Sequence, residues 1–188
     1  KTFPNKIEHC IEWGLESFFN NLTQPIQDLK KLVRNDDELS KELKNIDNQL
    51  VLKQRTDVLD KYVKVYANIC NNTQDNLKSF FDLFTYIFET LFVNPIKDVL
   101  YTFPSDLENK DGSLFWSGKK LLPKMINLKE IDNNFVTSVY DIISKAFKIE
   151  CWSEELYNAF KDNYKSDNYV SKKLNIDESK DTIQYNDN

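Results

Sequence analysis

The stretch "FFDLFTYIFETLFV", residues 80–93, decides the fold class of this chain. Ten of its 14 residues are apolar or aromatic, which invites a membrane interpretation. A membrane-spanning helix needs about 20 such residues, and Asp82 and Glu89 interrupt this run. A helix that is apolar on nearly all sides normally packs against several neighbours. The stretch therefore predicts a central core helix, which Pro95 kinks or ends because its ring clashes with the preceding turn.

Helical periodicity continues on both sides of this core helix. Apolar residues recur at helical spacing in three further segments, which are Ile7, Ile11, Leu15, Phe18 and Leu22; Val58 to Ile69; and Leu128, Ile131, Phe135, Val139, Ile142, Ala146 and Ile149. Pro25 suits the first turn of another helix, and Ser153 is a candidate N-cap for a short one. Pro104, Gly112 and Gly118 predict a loop between residues 103 and 126.

The whole chain has three glycines and five prolines, which are too few for many hairpin turns. We therefore expect an all-α, multi-helix domain with a long central apolar helix and a polar C-terminal tail. The predicted boundaries are residues 1–164 for the helical domain and residues 165–188 for the tail. Since the chain begins with Lys1 rather than methionine, we expect it to be part of a longer polypeptide.

Charge and cysteine content exclude several classes of function. The net charge is −5 and no basic patch stands out, so we expect no nucleic-acid partner. The three cysteines, Cys10, Cys70 and Cys151, are odd in number and irregular in spacing, which predicts neither a disulfide framework nor a C-x-x-C metal site. Reduced thiols of this kind are typical of a cytosolic or nuclear protein.

His9, the only histidine, precedes Cys10 in the sequence and suggests a thiol nucleophile beside its base. Neighbouring residues on a helix point about 100° apart, so the two side chains do not face each other. Cys10 borders the apolar stripe, and His9 lies opposite it. We therefore expect a packed thiol and an exposed imidazole rather than a reactive pair.

The residues alone predict no self-contained chemistry. One histidine excludes a Ser-His-Asp, Cys-His-Asn or His-based metal site within this chain. The carboxylate pairs Glu154-Glu155 and Asp36-Asp37 are sequence neighbours on polar surfaces, and no glycine-rich phosphate loop is present.

Three blocks of sequence nevertheless resemble one protein family. They are "KTFPNKIEHCIEW" at residues 1–13, "FPSDLENKDGSLFWSGKK" at residues 103–120 and "INLKEIDNNFVTSVYDII" at residues 126–143. In this order and spacing they are similar to the second catalytic cysteine half-domain of a ubiquitin-activating enzyme. The resemblance covers residues 1 to about 150 well, although residues 24–75 fit only as helices of similar length.

The resemblance implies that the nucleophile lies outside this chain. In the family, the F-P-N-x-I-x-H stretch follows a Cys-Thr-Leu-Lys motif whose cysteine forms the thioester with ubiquitin. Lys1 matches the lysine of that motif, so the nucleophilic cysteine would lie three residues upstream. Near the other end, "IQYND" at residues 183–187 is similar to a stretch where family members place an Asn-Asp pair near the thioester. A supporting catalytic role for Asn186 and Asp187 is implied in the same way, and a frayed polar tail is the alternative.

The family's activity defines what the parent enzyme would do. An adenylation domain would use ATP and magnesium to make ubiquitin adenylate, and the cysteine would accept ubiquitin and pass it to a ubiquitin-conjugating enzyme. The implied partners are ubiquitin, ubiquitin-conjugating enzymes and the adenylation domain of the same polypeptide, with no nucleic acid and no membrane. No cofactor is expected on these residues themselves, the isolated piece is expected to be inactive, and the implied location is cytoplasm and nucleus.

Two alternatives remain open. The "HCI" at residues 9–11 also resembles the activating enzymes for SUMO and NEDD8, whereas "FPN" at 3–5 and "FWSG" at 115–118 favour ubiquitin. The other alternative is a non-catalytic helical interaction module that binds a partner through the aromatic face around Phe80 to Phe92.

Overall fold

The fold is all-α, as the sequence predicts. The computed structural model describes residues 6–70, 76–118, 120–147, 152–166 and 169–174. The helices are α1 (Ile7–Phe18), α2 (Gln24–Val33), α3 (Asp37–Lys44), α4 (Gln49–Cys70), α5 (Asn76–Phe88), α6 (Asn94–Thr102), α7 (Asn133–Phe147) and α8 (Glu154–Asn163). Within these ranges no β-sheet forms, and the only β-pairing is an isolated bridge between Glu108 and Leu114.

The chain divides into two units. One comprises Lys1–Phe88 with Leu128–Tyr164, and the other comprises Glu89–Asn127 with Lys165–Asn188. The first unit contains α1 to α5, α7 and α8, and the second contains α6 and the long loop that follows it. The predicted division at residue 164 into domain and tail stays a prediction.

The core of the first unit is built around α5, which confirms the prediction of a central core helix. Phe80, Phe84 and Phe88 are each at most 1% exposed. None of the helices in the described ranges is long and apolar enough to cross a bilayer. Of the aromatic face proposed for a helical interaction module, the rings of Phe80, Phe84 and Phe88 are therefore buried.

Aromatic contacts connect α5 to α7 and α8. The Phe80 ring meets Tyr140 of α7 edge-on at 5.1 Å between ring centroids, and Phe81 stacks on Phe160 of α8 at 4.5 Å. Such pairs contribute about 0.5–1.5 kcal/mol beyond the burial of their area. The three helices therefore form one packed cluster.

The buried face of α7 differs by one position from the face that periodicity predicted. Val136, Val139 and Ile143 are at most 5% exposed, whereas the predicted core residue Phe135 is 41% exposed. The apolar run of α7 is wider than the buried stripe, so spacing alone does not decide which edge of it turns inward.

Two π-helical turns, Phe19–Thr23 and Glu89–Val93, interrupt the helices, and each precedes a helix with proline in its first turn. Pro25 and Pro95 have no N–H, and their rings crowd the carbonyl four residues earlier. Widening the preceding turn relieves this clash, as the bond from the Gln24 N–H to the Phe19 carbonyl illustrates. Pro95 thus ends α5 as predicted, although the chain stays helical through the interruption.

The predicted loop and cap are also present. Gly112 and Gly118 have φ angles of 81° and 62°, in the left-handed region that glycine tolerates best. The Ser153 hydroxyl accepts a 3.2 Å hydrogen bond from the Leu156 N–H at the start of α8. Ser153 is therefore the predicted N-cap.

Candidate functional site

The residues predicted to serve the thioester chemistry lie outside the described ranges. Lys1, Asn186 and Asp187 are all in segments about which the structure gives no description. The functional region is therefore represented by α1, which follows the Lys1 block, and by the loop that carries the "FWSG" block.

Helix α1 begins without a side-chain cap. Lys6 occupies the N-cap position in an extended conformation, and its side chain accepts no hydrogen bond from the first turn. The first N–H groups of a helix lack partners within the helix, and they carry a partial positive charge. The start of α1 is therefore a favourable environment for a negatively charged group.

The prediction of a packed Cys10 thiol beside an exposed His9 imidazole is wrong. Cys10 is exposed and His9 is half-buried. The reason is that α1 turns its apolar stripe outward, and its less exposed positions are His9, Gly14 and Ser17. Neighbouring positions on α1 direct the two side chains to different sides of the helix, so they do not face each other as nucleophile and base. Their burial is the reverse of the prediction, because Cys10 is the more exposed residue.

The outward face of α1 and of the π turn after it is strongly apolar. Five large apolar or aromatic side chains there are between 45% and 69% exposed, namely Ile7, Ile11, Leu15, Phe18 and Phe19. A contiguous exposed apolar face of this kind marks an interaction surface more often than an isolated exposed residue does.

The end of this segment is fixed to the core by Tyr62 of α4. The Tyr62 hydroxyl donates a 2.8 Å hydrogen bond to the Asn21 backbone carbonyl. In a regular helix this carbonyl would accept a bond from the N–H four residues later, but that residue is Pro25, which has no N–H. Tyr62 is 0% exposed, and burial raises the pKa of its phenol, so the hydroxyl stays protonated as a donor.

A buried ion pair holds α2, α3 and α4 together. Asp28 is 0% exposed and accepts two 2.7 Å hydrogen bonds from the Arg55 guanidinium. Arg55 also donates a 2.6 Å bond to Glu42, which is hydrogen bonded to Lys31. The hydrogen bonds to Asp28 raise the pKa of Arg55, and those from Lys31 and Arg55 lower the pKa of Glu42. Since every charge has a partner, we interpret this cluster as structural.

The "FWSG" loop is ordered by its aromatic residues within the second unit. The rings of Phe103 and Phe115 stack at 4.5 Å, and the Trp116 indole N–H donates a 2.9 Å bond to the Phe103 carbonyl. The Lys120 ammonium lies 4.2 Å from the Phe115 ring centroid, in a cation–π contact. The loop therefore has a defined conformation despite its lack of helix or strand.

The polar segment after residue 168 is attached to α6 in the same unit. Asp98 accepts a 2.9 Å bond from the Tyr169 hydroxyl and a 2.7 Å bond from the Lys172 N–H. Burial, with a smaller effect from the bond to Asp98, raises the pKa of Tyr169 to about 12. The Leu174 N–H donates to the Thr102 hydroxyl at 2.9 Å, which is a third contact between this segment and α6.

Within the part of the chain that the structure describes, no group of three His, Cys, Asp or Glu side chains could hold a metal ion. Cys70 is exposed like Cys10. The side chains of Tyr66 and Cys70, one turn apart on α4, are hydrogen bonded, which raises the pKa of Tyr66. These residues provide a scaffold with exposed thiols.

Sequence reasoning missed Tyr62 and the Asp28–Arg55 pair. A usable signal existed for Tyr62, because Pro25 leaves the carbonyl of Asn21 short of a donor and a buried hydroxyl is a natural replacement. No comparable signal existed for the ion pair, since Asp28 and Arg55 are 27 residues apart and both lie among other charged residues.

Comparison with known proteins assigns the family. The family model for the ubiquitin-activating enzyme SCCH domain matches residues 4–188. SCCH denotes the second catalytic cysteine half-domain. The chain thus belongs to the SCCH-domain family of ubiquitin-activating enzymes, as the sequence blocks predicted.

Curated relatives agree with this assignment. Ubiquitin-activating enzyme E1 1 of Arabidopsis thaliana is 25% identical over 154 residues, which are 79% of this chain and 13% of the relative. Ubiquitin-activating enzyme E1 1 of Schizosaccharomyces pombe is 30% identical over 127 residues, or 65% of this chain and 11% of the relative. Ubiquitin-like modifier-activating enzyme 1 of Mus musculus is 26% identical over 123 residues, again 65% of this chain and 11% of the relative. The chain spans only 11% to 13% of the length of these relatives.

Proposed function

We propose that this chain positions the catalytic cysteine of an enzyme that activates ubiquitin and passes it on as a thioester. The observation that carries the proposal is the family match over residues 4–188, together with relatives whose names state ubiquitin activation. The absence of a nucleophile–base pair at His9 and Cys10 agrees with it, since a carrier needs geometry more than chemistry of its own.

The proposed reaction at the cysteine is an acyl transfer. A thiolate upstream of Lys1 attacks the carbonyl carbon of the ubiquitin C-terminus in its mixed anhydride with AMP. A carbon–sulfur bond forms, the carbon–oxygen bond to AMP breaks, and AMP leaves with the electron pair. A second transfer of the same kind moves ubiquitin to the cysteine of a ubiquitin-conjugating enzyme.

The proposal places ATP and magnesium outside these residues. Among the described residues no group of three His, Cys, Asp or Glu side chains could hold a metal ion. The sequence also has no glycine-rich phosphate loop. An adenylation domain elsewhere in the same polypeptide would hold both.

Helix α1 supports the role of a cysteine carrier. Its N-terminus has no side-chain cap, so the N–H groups of its first turn and the N-cap residue Lys6 favour a negative charge nearby. A helix N-terminus stabilises such a charge by about 0.3–1 kcal/mol. A thiolate held near this end would therefore be more populated at neutral pH than an ordinary cysteine.

The exposed apolar face of α1 supports an intramolecular partner. We propose that the adenylation domain of the same polypeptide covers this face in at least one state of the reaction cycle. Rotation of the half-domain as a rigid body would bring the thiol first to the adenylate and later to the conjugating enzyme. Intramolecular interfaces of this kind are compatible with domain motion.

Asn186 and Asp187 are proposed to support the transfer near the thioester, as their match to the family implies. The test compares Asn186→Ala and Asp187→Asn with the native full-length protein in single-turnover thioester formation. A slower transfer at unchanged adenylate formation would support the role, and unchanged rates for both variants would contradict it.

The experiment that tests the function is a modifier-selectivity assay. The full-length protein is incubated with ATP, magnesium and either ubiquitin, SUMO or NEDD8, and adducts are resolved on non-reducing gels with a thiol-treated control. A thiol-sensitive adduct with ubiquitin is expected. An adduct with SUMO or NEDD8 instead would show that the closest alternative is correct, and no adduct would contradict the enzyme assignment. Cytoplasmic and nuclear location is part of the same proposal, and imaging of the tagged full-length protein tests it.

A further inference from the structure

A small apolar cavity lies between α2, α4 and α7 of the first unit. Its volume is about 140 Å³, and its walls are formed by Ile26, Leu29, Val33, Tyr66, Ala146 and Phe147. A protein cavity of about 150 Å³ accommodates a benzene molecule. The cavity therefore has room for one large apolar side chain.

Aromatic side chains form part of the apolar lining of the cavity. The rings of Tyr66 and Phe147 lie 6.1 Å apart between centroids and form an aromatic wall. Val33 is 52% exposed, so the cavity is reached from the surface.

Two cations stand at the edge of this cavity. Lys30 in the last turn of α2 and Arg34 directly after that helix also line it, and both are exposed. In the described part of the chain neither has an ion pair, whereas their neighbours Asp28 and Lys31 on the same helix do. Helix α2 thus separates paired charges on one face from unpaired cations beside the cavity.

None of the described residues that line the cavity is acidic. Among the residues that line it, α4 contributes Tyr66 and α7 contributes Ala146 and Phe147, none of which carries a carboxylate. Since the whole chain has a net charge of −5, a local positive edge is a departure from its average surface. Cations near a helix C-terminus also interact favourably with the helix dipole, but that effect does not require a cavity beside them.

From this combination we infer that the cavity is a docking site for an acidic peptide segment of a protein partner with one large apolar anchor residue. The anchor fills the cavity, and flanking Asp or Glu side chains pair with Lys30 and Arg34. Two cations are too few to hold a membrane surface or a nucleic acid, both of which bind through wider basic patches. The inference is independent of the proposed ubiquitin chemistry, because no residue of this site belongs to the thioester machinery.

The test uses a fluorescein-labelled short peptide in which one Phe is flanked by Glu residues on both sides. Anisotropy measures its binding to the full-length protein. Two comparison peptides replace either the Phe by Ala or every Glu by Lys. The Phe and Glu peptide should bind about tenfold more tightly than either comparison, which is a difference of about 1.4 kcal/mol.

Variants of the protein locate the site. Lys30→Glu combined with Arg34→Glu should weaken binding about tenfold, and Ala146→Leu should do the same by filling the cavity. Lys44→Glu is the matched control, because Lys44 is also an exposed lysine in the last turn of its helix. Thermal unfolding checks that each variant folds, and ubiquitin thioester formation should be unchanged in the charge variants.

Three results would overturn the inference. One is equal binding of the Ala peptide, and another is binding that the double charge variant does not weaken. The third is concentration-dependent self-association of the protein that Lys30→Glu with Arg34→Glu abolishes, since the occupant would then be a second copy of the chain. If Ala146→Leu does not fold, the charge variants and the comparison peptides still test the inference.

Discussion

The hydroxyl group of Tyr62 donates a 2.8 Å hydrogen bond to the backbone carbonyl of Asn21, 41 residues earlier in the chain. This bond supplies a donor at the point where Pro25 cannot. Tyr62→Phe should therefore leave a buried carbonyl short of a partner and lower the free energy of unfolding by about 1–3 kcal/mol. Urea denaturation followed by circular dichroism measures the loss.

Tyr101→Phe is the control for this substitution, since Tyr101 is 62% exposed. It should change stability by less than about 0.5 kcal/mol. In a Pro25→Ala background, which restores an N–H, the cost of Tyr62→Phe should fall. An equal cost in both backgrounds would show that the proline is not the reason for the bond.

The Asp28–Arg55 pair gives the largest expected loss of stability. Arg55→Met removes the guanidinium and leaves Asp28, which is 0% exposed, as an unpaired buried charge. Breaking a buried pair from one side costs about 3–5 kcal/mol. Lys53→Met removes the exposed ion pair with Asp57 on the same helix and should cost no more than about 1 kcal/mol. Similar losses of stability in the two variants would contradict the interpretation that Asp28 is a buried charge that depends on Arg55.

Glu42 should make stability depend on pH in the acid range. Hydrogen bonds from Lys31 and Arg55 lower its pKa below the ordinary value of 4.5 in the folded protein. Its stabilising contribution is therefore fully present above the unfolded pKa and is lost as the pH falls through the folded pKa. The native protein should be more stable than Glu42→Gln at pH 6, and the difference should shrink as the pH is lowered below about 4.

Urea denaturation of both proteins across this pH range provides the measurement. Asp36→Asn is a useful comparison, because its carboxylate caps α3 and has no ion pair among the described contacts. A difference between native protein and Glu42→Gln that stays constant down to pH 3 would contradict the lowered pKa.

Two glycines should respond to alanine in opposite directions. Gly112 has a φ of 81°, where a Cβ atom is strained by about 1–2 kcal/mol, so Gly112→Ala should destabilise. Gly14 lies inside α1 with nothing within 4 Å of an added Cβ, so Gly14→Ala should stabilise by about 0.5–1 kcal/mol. Thermal unfolding of the two variants gives the sign directly. Stabilisation by Gly112→Ala would contradict the strained loop position, and destabilisation by Gly14→Ala would contradict the open space beside α1.

Local features were predictable from the sequence because a local pattern encodes them. The apolar run of α5, the Ser153 cap and the loop glycines each follow from a few neighbouring residues. The direction in which α1 turns was not predictable, since a helix with an apolar stripe is expected to bury it. The side chains on the outward face of α1 are exposed in the described part of the chain, so their orientation could not be derived from periodicity.

Contacts between residues that are far apart in the sequence could not be predicted. Nothing in the sequence connects Asp28 with Arg55, or Lys30 with the cavity wall at Phe147, because these contacts exist only once α2, α4 and α7 have packed. The position of the reactive cysteine could not be derived from residue patterns either. Its position was inferred only from the resemblance of the "KTFPNKIEHCIEW" block at residues 1–13 to the family.

The most direct test of the central claim maps the sulfur that carries ubiquitin. The full-length protein is charged with ubiquitin in the presence of ATP and magnesium, digested, and its thiol-sensitive adduct located by mass spectrometry. A variant with Cys10, Cys70 and Cys151 all changed to Ser is charged in parallel. We predict an adduct on a cysteine upstream of Lys1 and undiminished charging of the triple variant. An adduct on Cys10, Cys70 or Cys151, lost when that residue is changed to Ser, would contradict the account.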